Sequence, residues 1–129
     1  YRVVVIDSGN DESSPSWLAM IKKADALIVP TITRPEHAES ARLLLNELSR
    51  SGQHGAKLAQ NALVIVLQAS KAEPSPNQLV QTFKQITRDA IGISYDPAMS
   101  ARPLMYETLN PASRRAWLAA AAALTPALQ

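Results

Sequence analysis

Residues 24–48 read "ADALIVPTITRPEHAESARLLLNEL", and this stretch decides the fold. Ala26–Val29 is apolar and partly β-branched, which suits a pleated strand. Thr33 and Glu36 follow at the spacing of a capping box, which marks a helix start. Beyond them Ala38, Ala41, Leu44, Leu45 and Leu48 form one apolar stripe at helical period. A strand, a short loop and an amphipathic helix within 25 residues make the first two parts of a β-α-β unit.

Working outward, three more runs have strand character: Arg2–Ile6, Leu63–Leu67 and Ile91–Ser94. Helical stripes lie between them, one from Trp17, Leu18 and Ile21, another from Leu79, Val80, Phe83, Ile86 and Ala90. A last helix is expected from Pro111 to about Leu124, rich in Ala and therefore helix-prone. Ser14-Pro15, Ser75-Pro76 and Asn110-Pro111 each set a capping oxygen before a proline at the first helical position. Ser75 and Gln78 repeat the capping-box spacing. The alternation predicts a three-layer α/β fold, with a mostly parallel sheet of about four strands and helices on both faces. The loop from Tyr95 to Asn110, with Pro97 and Pro103, is longer than ordinary connections and is a candidate functional segment.

Composition narrows the class. The 129 residues fit one domain, with 47% hydrophobic and 19% charged residues, the balance of a globular chain. There is no cysteine, so thiol nucleophiles, disulfides and Cys-based metal sites are excluded. No apolar run approaches the roughly 20 residues that span a bilayer. A net charge of +2 is too small to argue for nucleic-acid binding. An intracellular, cytoplasmic protein is expected. The first residue is Tyr and the first strand begins without a leader, so the chain reads as a piece whose neighbour lies upstream.

Asp7 is the foremost candidate for chemistry. It ends the run "YRVVVID", and the carboxyl ends of strands in open α/β sheets are where ligands bind. A carboxylate there can hold a metal-bound water or accept a phosphoryl group. The competing reading is a turn residue, because "DSGND" is built of turn formers. Asp11 and Glu12 are explained by the helix dipole that follows them. His37 and His54 lack partners at metal-ligand spacing, and no serine sits in a G-x-S-x-G elbow. The four glycines, 9, 52, 55 and 92, build neither kind of glycine-rich phosphate loop.

Taken in order, "VVVIDSGND", "ADALIVPTITRPEHAESARLLLNEL", "NALVIVLQASKAE" and "IGISYDPAMSARPLMYETLNPASRRAWLAAAAAL" resemble the second half of a ParA/MinD-type P-loop ATPase. The likeness is closest to ParA-like proteins of actinobacterial chromosomes and mobile elements. The resemblance implies that Asp7 is the Walker B aspartate, orienting a water on the Mg²⁺ that bridges the β- and γ-phosphates of ATP. It implies that Gln68 stands where the family usually carries Asn on the adenine side. Tyr95, Asp96 and Pro97 would match the loop that closes over the base. The phosphate-loop half is not on this chain, so the piece is expected to be inactive alone and to hold no nucleotide. The implied partners are a ParB-type protein and non-specific DNA, with Arg102, Arg114 and Arg115 as its candidate contacts, and a homodimer of the intact protein. The terminal "AWLAAAAALTPALQ" carries no Lys or Arg, unlike the basic amphipathic helix of the membrane-docking branch.

Two other readings stand beside it. Asp7, Thr31 or Thr33, and Lys71 have the order of a phospho-receiver's acidic, hydroxyl and lysine positions. Alternatively, the chain is an α/β interaction module without chemistry, and Asp7 merely caps a turn. In the resembled fold the phosphate-loop strand separates the Walker B strand from "ALIVP". With that strand absent, Arg2–Ile6 is expected to pair directly with Ala26–Val29 or with a second copy.

Overall fold

Leu63–Leu67 (β2) is the centre of the molecule, and in the computed structural model, which describes residues 2–9 and 11–128, it is flanked on both sides. Its neighbours are Ile28–Ile32 (β1) and Asp89–Ile93 (β3), both parallel to it. Five consecutive apolar residues suit such a strand because both of its faces are covered. Val64 and Val66 point into a core shared with four helices, α1 (Pro15–Lys23), α2 (Pro35–Ser49), α3 (Gly52–Gln60) and α4 (Asn77–Lys84). Leu63, Ile65 and Leu67 point the other way, against the single helix α5 (Pro111–Leu124). The three-layer α/β architecture is therefore present, with three strands rather than four.

The missing strand is Arg2–Ile6. It forms no ladder, and Val3, Val4, Val5 and Ile6 are 62%, 77%, 84% and 62% exposed. The pairing expected with β1 does not form: the sheet order is β1-β2-β3. β-propensity expresses itself only when a neighbour supplies hydrogen bonds and covers a face, and this run has neither.

β1 runs from Ile28 to Ile32, two residues later than expected at its start, and includes Pro30. Leu63 N–H donates to Leu27 O and Thr33 N–H donates to Leu67 O. The odd-numbered residues of β1 thus direct their backbone groups at β2, and the even-numbered ones direct theirs outward. Pro30, which has no N–H, faces the unpaired side, the place in a sheet where proline is tolerated.

Local chemistry explains most helix boundaries. Ser14 Oγ accepts from Trp17 N–H at 3.1 Å, and Asn110 Oδ1 accepts from Ser113 N–H at 2.8 Å, as the capping pattern predicts. The Thr33–Glu36 box does not form. The residue preceding α2 is Arg34, without a side-chain cap, and the Thr33 hydroxyl is drawn instead to Glu73. The Ser75–Gln78 box is also absent; α4 begins after Pro76, and Ser75 Oγ accepts only a 3.4 Å bond from Asn77 N–H. The stripe that was to run through Ala90 stops early, because α4 ends at Lys84 and Ala90 belongs to β3. Helix α3 has no counterpart in the sequence reading. Gly52 opens it at a φ of 89°, and a Cβ on Gly55 would stand 2.8 Å from Leu48 O. Both positions therefore require glycine.

Candidate functional site at the carboxyl ends of the strands

The loops that leave β1, β2 and β3 meet at one edge of the sheet. Gln68, the first residue beyond β2, binds both ways. Its backbone N–H donates to Ile93 O at 2.9 Å, and its side-chain Oε1 accepts from Tyr95 N–H at 3.1 Å. Its Nε2 donates to Glu73 O at 2.8 Å. The amide keeps one N–H and one lone pair beyond these bonds.

Glu73 was not foreseen from the sequence. Its side chain is 9% exposed and four donors surround it. Oε1 accepts from the Thr33 hydroxyl at 2.7 Å and from Ala69 N–H at 3.3 Å. Oε2 accepts from Arg34 Nε–H at 3.3 Å and from the Ser70 hydroxyl at 3.5 Å. The Thr33 hydroxyl, then Ala69 N–H and Arg34, hold this carboxyl below its ordinary range against the opposing effect of burial. Through Glu73 and Gln68, the loops after all three strands form one hydrogen-bonded chain.

Asp96 is buried at the start of the long loop. Its Oδ2 accepts from Asn110 N–H at 2.9 Å and its Oδ1 from Ala98 N–H at 3.0 Å. The Asn110 N–H is the main reason its carboxyl titrates below the usual aspartate range; Ser113 and Ala98 add to it, and burial opposes. Asp96 thus fastens both ends of the segment from Pro97 to Asn110. Pro97 opens a short 3₁₀ turn, Pro97–Ser100, and is exposed. Between the fastened ends Leu104, Met105 and Tyr106 are about half exposed.

Asp7 is elsewhere. It lies in an exposed turn, where its Oδ1 accepts from Gly9 N–H at 3.2 Å and Gly9 has a φ of 68°. The strand that was to present it at the sheet edge does not form. Of the five residues singled out from the sequence, the structure brings Gln68 together with Tyr95, and Asp96 and Pro97 follow directly in the same loop; Asp7 is not among them. Two surface cavities of about 520 and 400 Å³ are lined by other residues, at the amino ends of β2 and β3 and between α2 and α4.

The remaining candidates have ordinary structural surroundings. His54 Nε2 lies 3.0 Å from Ile21 O, tying α3 to α1, and His37 is exposed on α2. Arg102 and Arg115 are exposed and Arg114 is half-buried. Thr31 is buried with its hydroxyl donating to Ile32 O, while Lys71 is exposed. Among the described residues no three His, Asp or Glu side chains converge as a metal site. The exposed turn supplies the single carboxylate of Asp7, which does not by itself make a Mg²⁺ site. No family model, curated protein or solved structure matches this chain.

Proposed function

We propose that the chain is the Walker B half of a ParA-like partition ATPase, with Gln68 and the Tyr95–Pro97 segment as its base-side elements. The observation that supports this reading is the 3.1 Å bond from Tyr95 N–H to Gln68 Oε1. It unites the two segments that the resemblance assigns to the same side of the nucleotide. The unpaired outer edge of β1 also agrees with a fold in which a phosphate-loop strand lies beside it. On this reading ATP and Mg²⁺ bind only when the phosphate-loop half is present, and Asp7 reaches the metal-bound water only when its strand is paired. A ParB-type protein, non-specific DNA and a second subunit are the corresponding partners, in the cytoplasm. None of the described helices is long and apolar enough to cross a membrane.

The coding sequence ahead of Tyr1 tests the reading directly. A K-G-G-x-G-K-T-type loop roughly one domain upstream is the expected finding; an acidic pair ending a strand would instead favour the phospho-receiver. Calorimetry with Mg-ATP on the 129 residues alone should show no micromolar binding, since the phosphate loop supplies most phosphate contacts in such proteins. In the intact protein Asp7→Ala should greatly reduce hydrolysis while leaving the fold intact. Near-normal turnover in that variant would return Asp7 to the turn-capping reading. The Asp7–Gly9 turn is the observation that favours that alternative.

A further inference from the structure

We infer that the carboxyl edge of the sheet contains an anion seat for a phosphate group, and that the chain's own Glu73 carboxylate fills it. Four donors from two separate loops converge on that carboxylate: the Thr33 hydroxyl and Arg34 Nε–H after β1, and Ala69 N–H and the Ser70 hydroxyl after β2. Thr33 is 4% exposed, so its hydroxyl is fixed in place before any ligand arrives. A backbone N–H, two hydroxyls and a guanidinium around one point are the donor set that recognises phosphate oxygens. They stand at the carboxyl ends of adjacent parallel strands, where α/β sheets place their ligands.

Glu73 belongs to the surface loop that follows Gln68, and its neighbours Ala72 and Pro74 are exposed. An oxyanion that takes the four donors displaces the Glu73 side chain and moves its backbone. Gln68 Nε2 then loses its acceptor, Glu73 O. Occupation of the seat is thereby transmitted to the amide that also holds Tyr95. The seat does not depend on the nucleotide reading, because its donors recognise a phosphate whether free or attached to a nucleoside.

The test is a titration of the whole chain with inorganic phosphate at neutral pH, followed by amide NMR at Ala69 and Tyr95. Wild-type protein should respond weakly, because Glu73 competes for the same donors. Glu73→Ala should bind phosphate about tenfold tighter or more, the effect of removing roughly 1.4 kcal/mol of internal competition. Glu73→Gln, which keeps the shape and removes the charge, should fall between the two, and it decides the matter alone if Glu73→Ala does not fold. Adding Arg34→Ala to either variant should abolish the gain. A parallel titration with adenosine monophosphate separates the two sources of phosphate: equal affinity assigns the seat to free oxyanion, tighter binding to a nucleotide. The inference is overturned if the folded variants bind phosphate no better than wild type, or if the gain survives Arg34→Ala.

Discussion

Arg2–Ile6 and Leu63–Leu67 are nearly the same peptide, "RVVVI" and "LVIVL", with opposite fates. The second is the central strand, with Val64 and Val66 at 0% exposure. The first makes no ladder and leaves its four apolar side chains 62–84% exposed. Intrinsic propensity cannot separate them, because it differs by at most about 1 kcal/mol across the whole residue scale. What differs is the company. Leu63–Leu67 has a strand on each side and a helical layer on each face, whereas Arg2–Ile6 has neither. The outer edge of β1 is one N–H short at Pro30, which weakens it as a partner for an added strand without removing its other donors and acceptors.

The contrast is broken most severely by charging the buried run. Val66→Asp places an unpaired carboxylate between the sheet and the helices and should cost roughly 3–5 kcal/mol, much of the stability of a domain this size. Urea unfolding measures it. The entry to β2 comes next. The Thr87 hydroxyl donates to Ala62 O at 2.6 Å and lies 3.1 Å from Ala59 O. Thr87→Val takes that donor from the Ala62 carbonyl and should cost about 1–3 kcal/mol in the same assay.

Acid should act on the well-connected region and spare the N-terminal run. Asp96 and Glu73 are both held below their ordinary values of 3.8 and 4.5 in the folded chain. Their stabilisation is present above those unfolded-state values and is lost as pH falls through the lower folded-state ones. Urea midpoints should therefore decline below about pH 4.5, and Asp96→Asn should flatten that decline. Unchanged pH dependence in the variant would refute the role given to Asp96. A smaller effect is expected from Pro30→Val, which returns an outward N–H to the β1 edge. It should leave stability nearly unchanged and increase concentration-dependent association in light scattering, through strand addition at the repaired edge. Smallest of all is Val4→Asp. On an exposed residue it should stay within about 0.5 kcal/mol, and a larger loss would mean that Arg2–Ile6 is paired in solution.

The residues of the candidate site were legible to different degrees, for physical reasons. Gln68 and Tyr95 were singled out only through the order of motifs in the resemblance, and the bond that joins them spans 27 positions. Asp96 came with the same loop, but its binding to Asn110 N–H joins residues 14 apart and has no local trace. Glu73 was invisible: an acidic residue in "SKAEPS" looks like solvated surface until the fold brings Thr33 to it from 40 positions away. Thr33 itself was misassigned for the same reason. A local capping partner, Glu36, competed with a distant one, and the distant carboxylate is more buried and better supplied with donors.

By itself, the sequence determined what short-range physics controls. The apolar run of β2, the helical stripe of α2, the Ala-rich α5 and the caps at Ser14 and Asn110 each depend on residues within one or two turns of one another. Their alternation also determined the α/β class and the parallel sheet. Only the tertiary structure decided which apolar run became a strand, where β1 begins, and that Gly55 must let α3 approach Leu48 O. It also decided that Glu73 sits among four donors. These outcomes depend on pairing and burial between segments far apart in sequence, and the energy of such contacts is fixed only when the distant partner is in place.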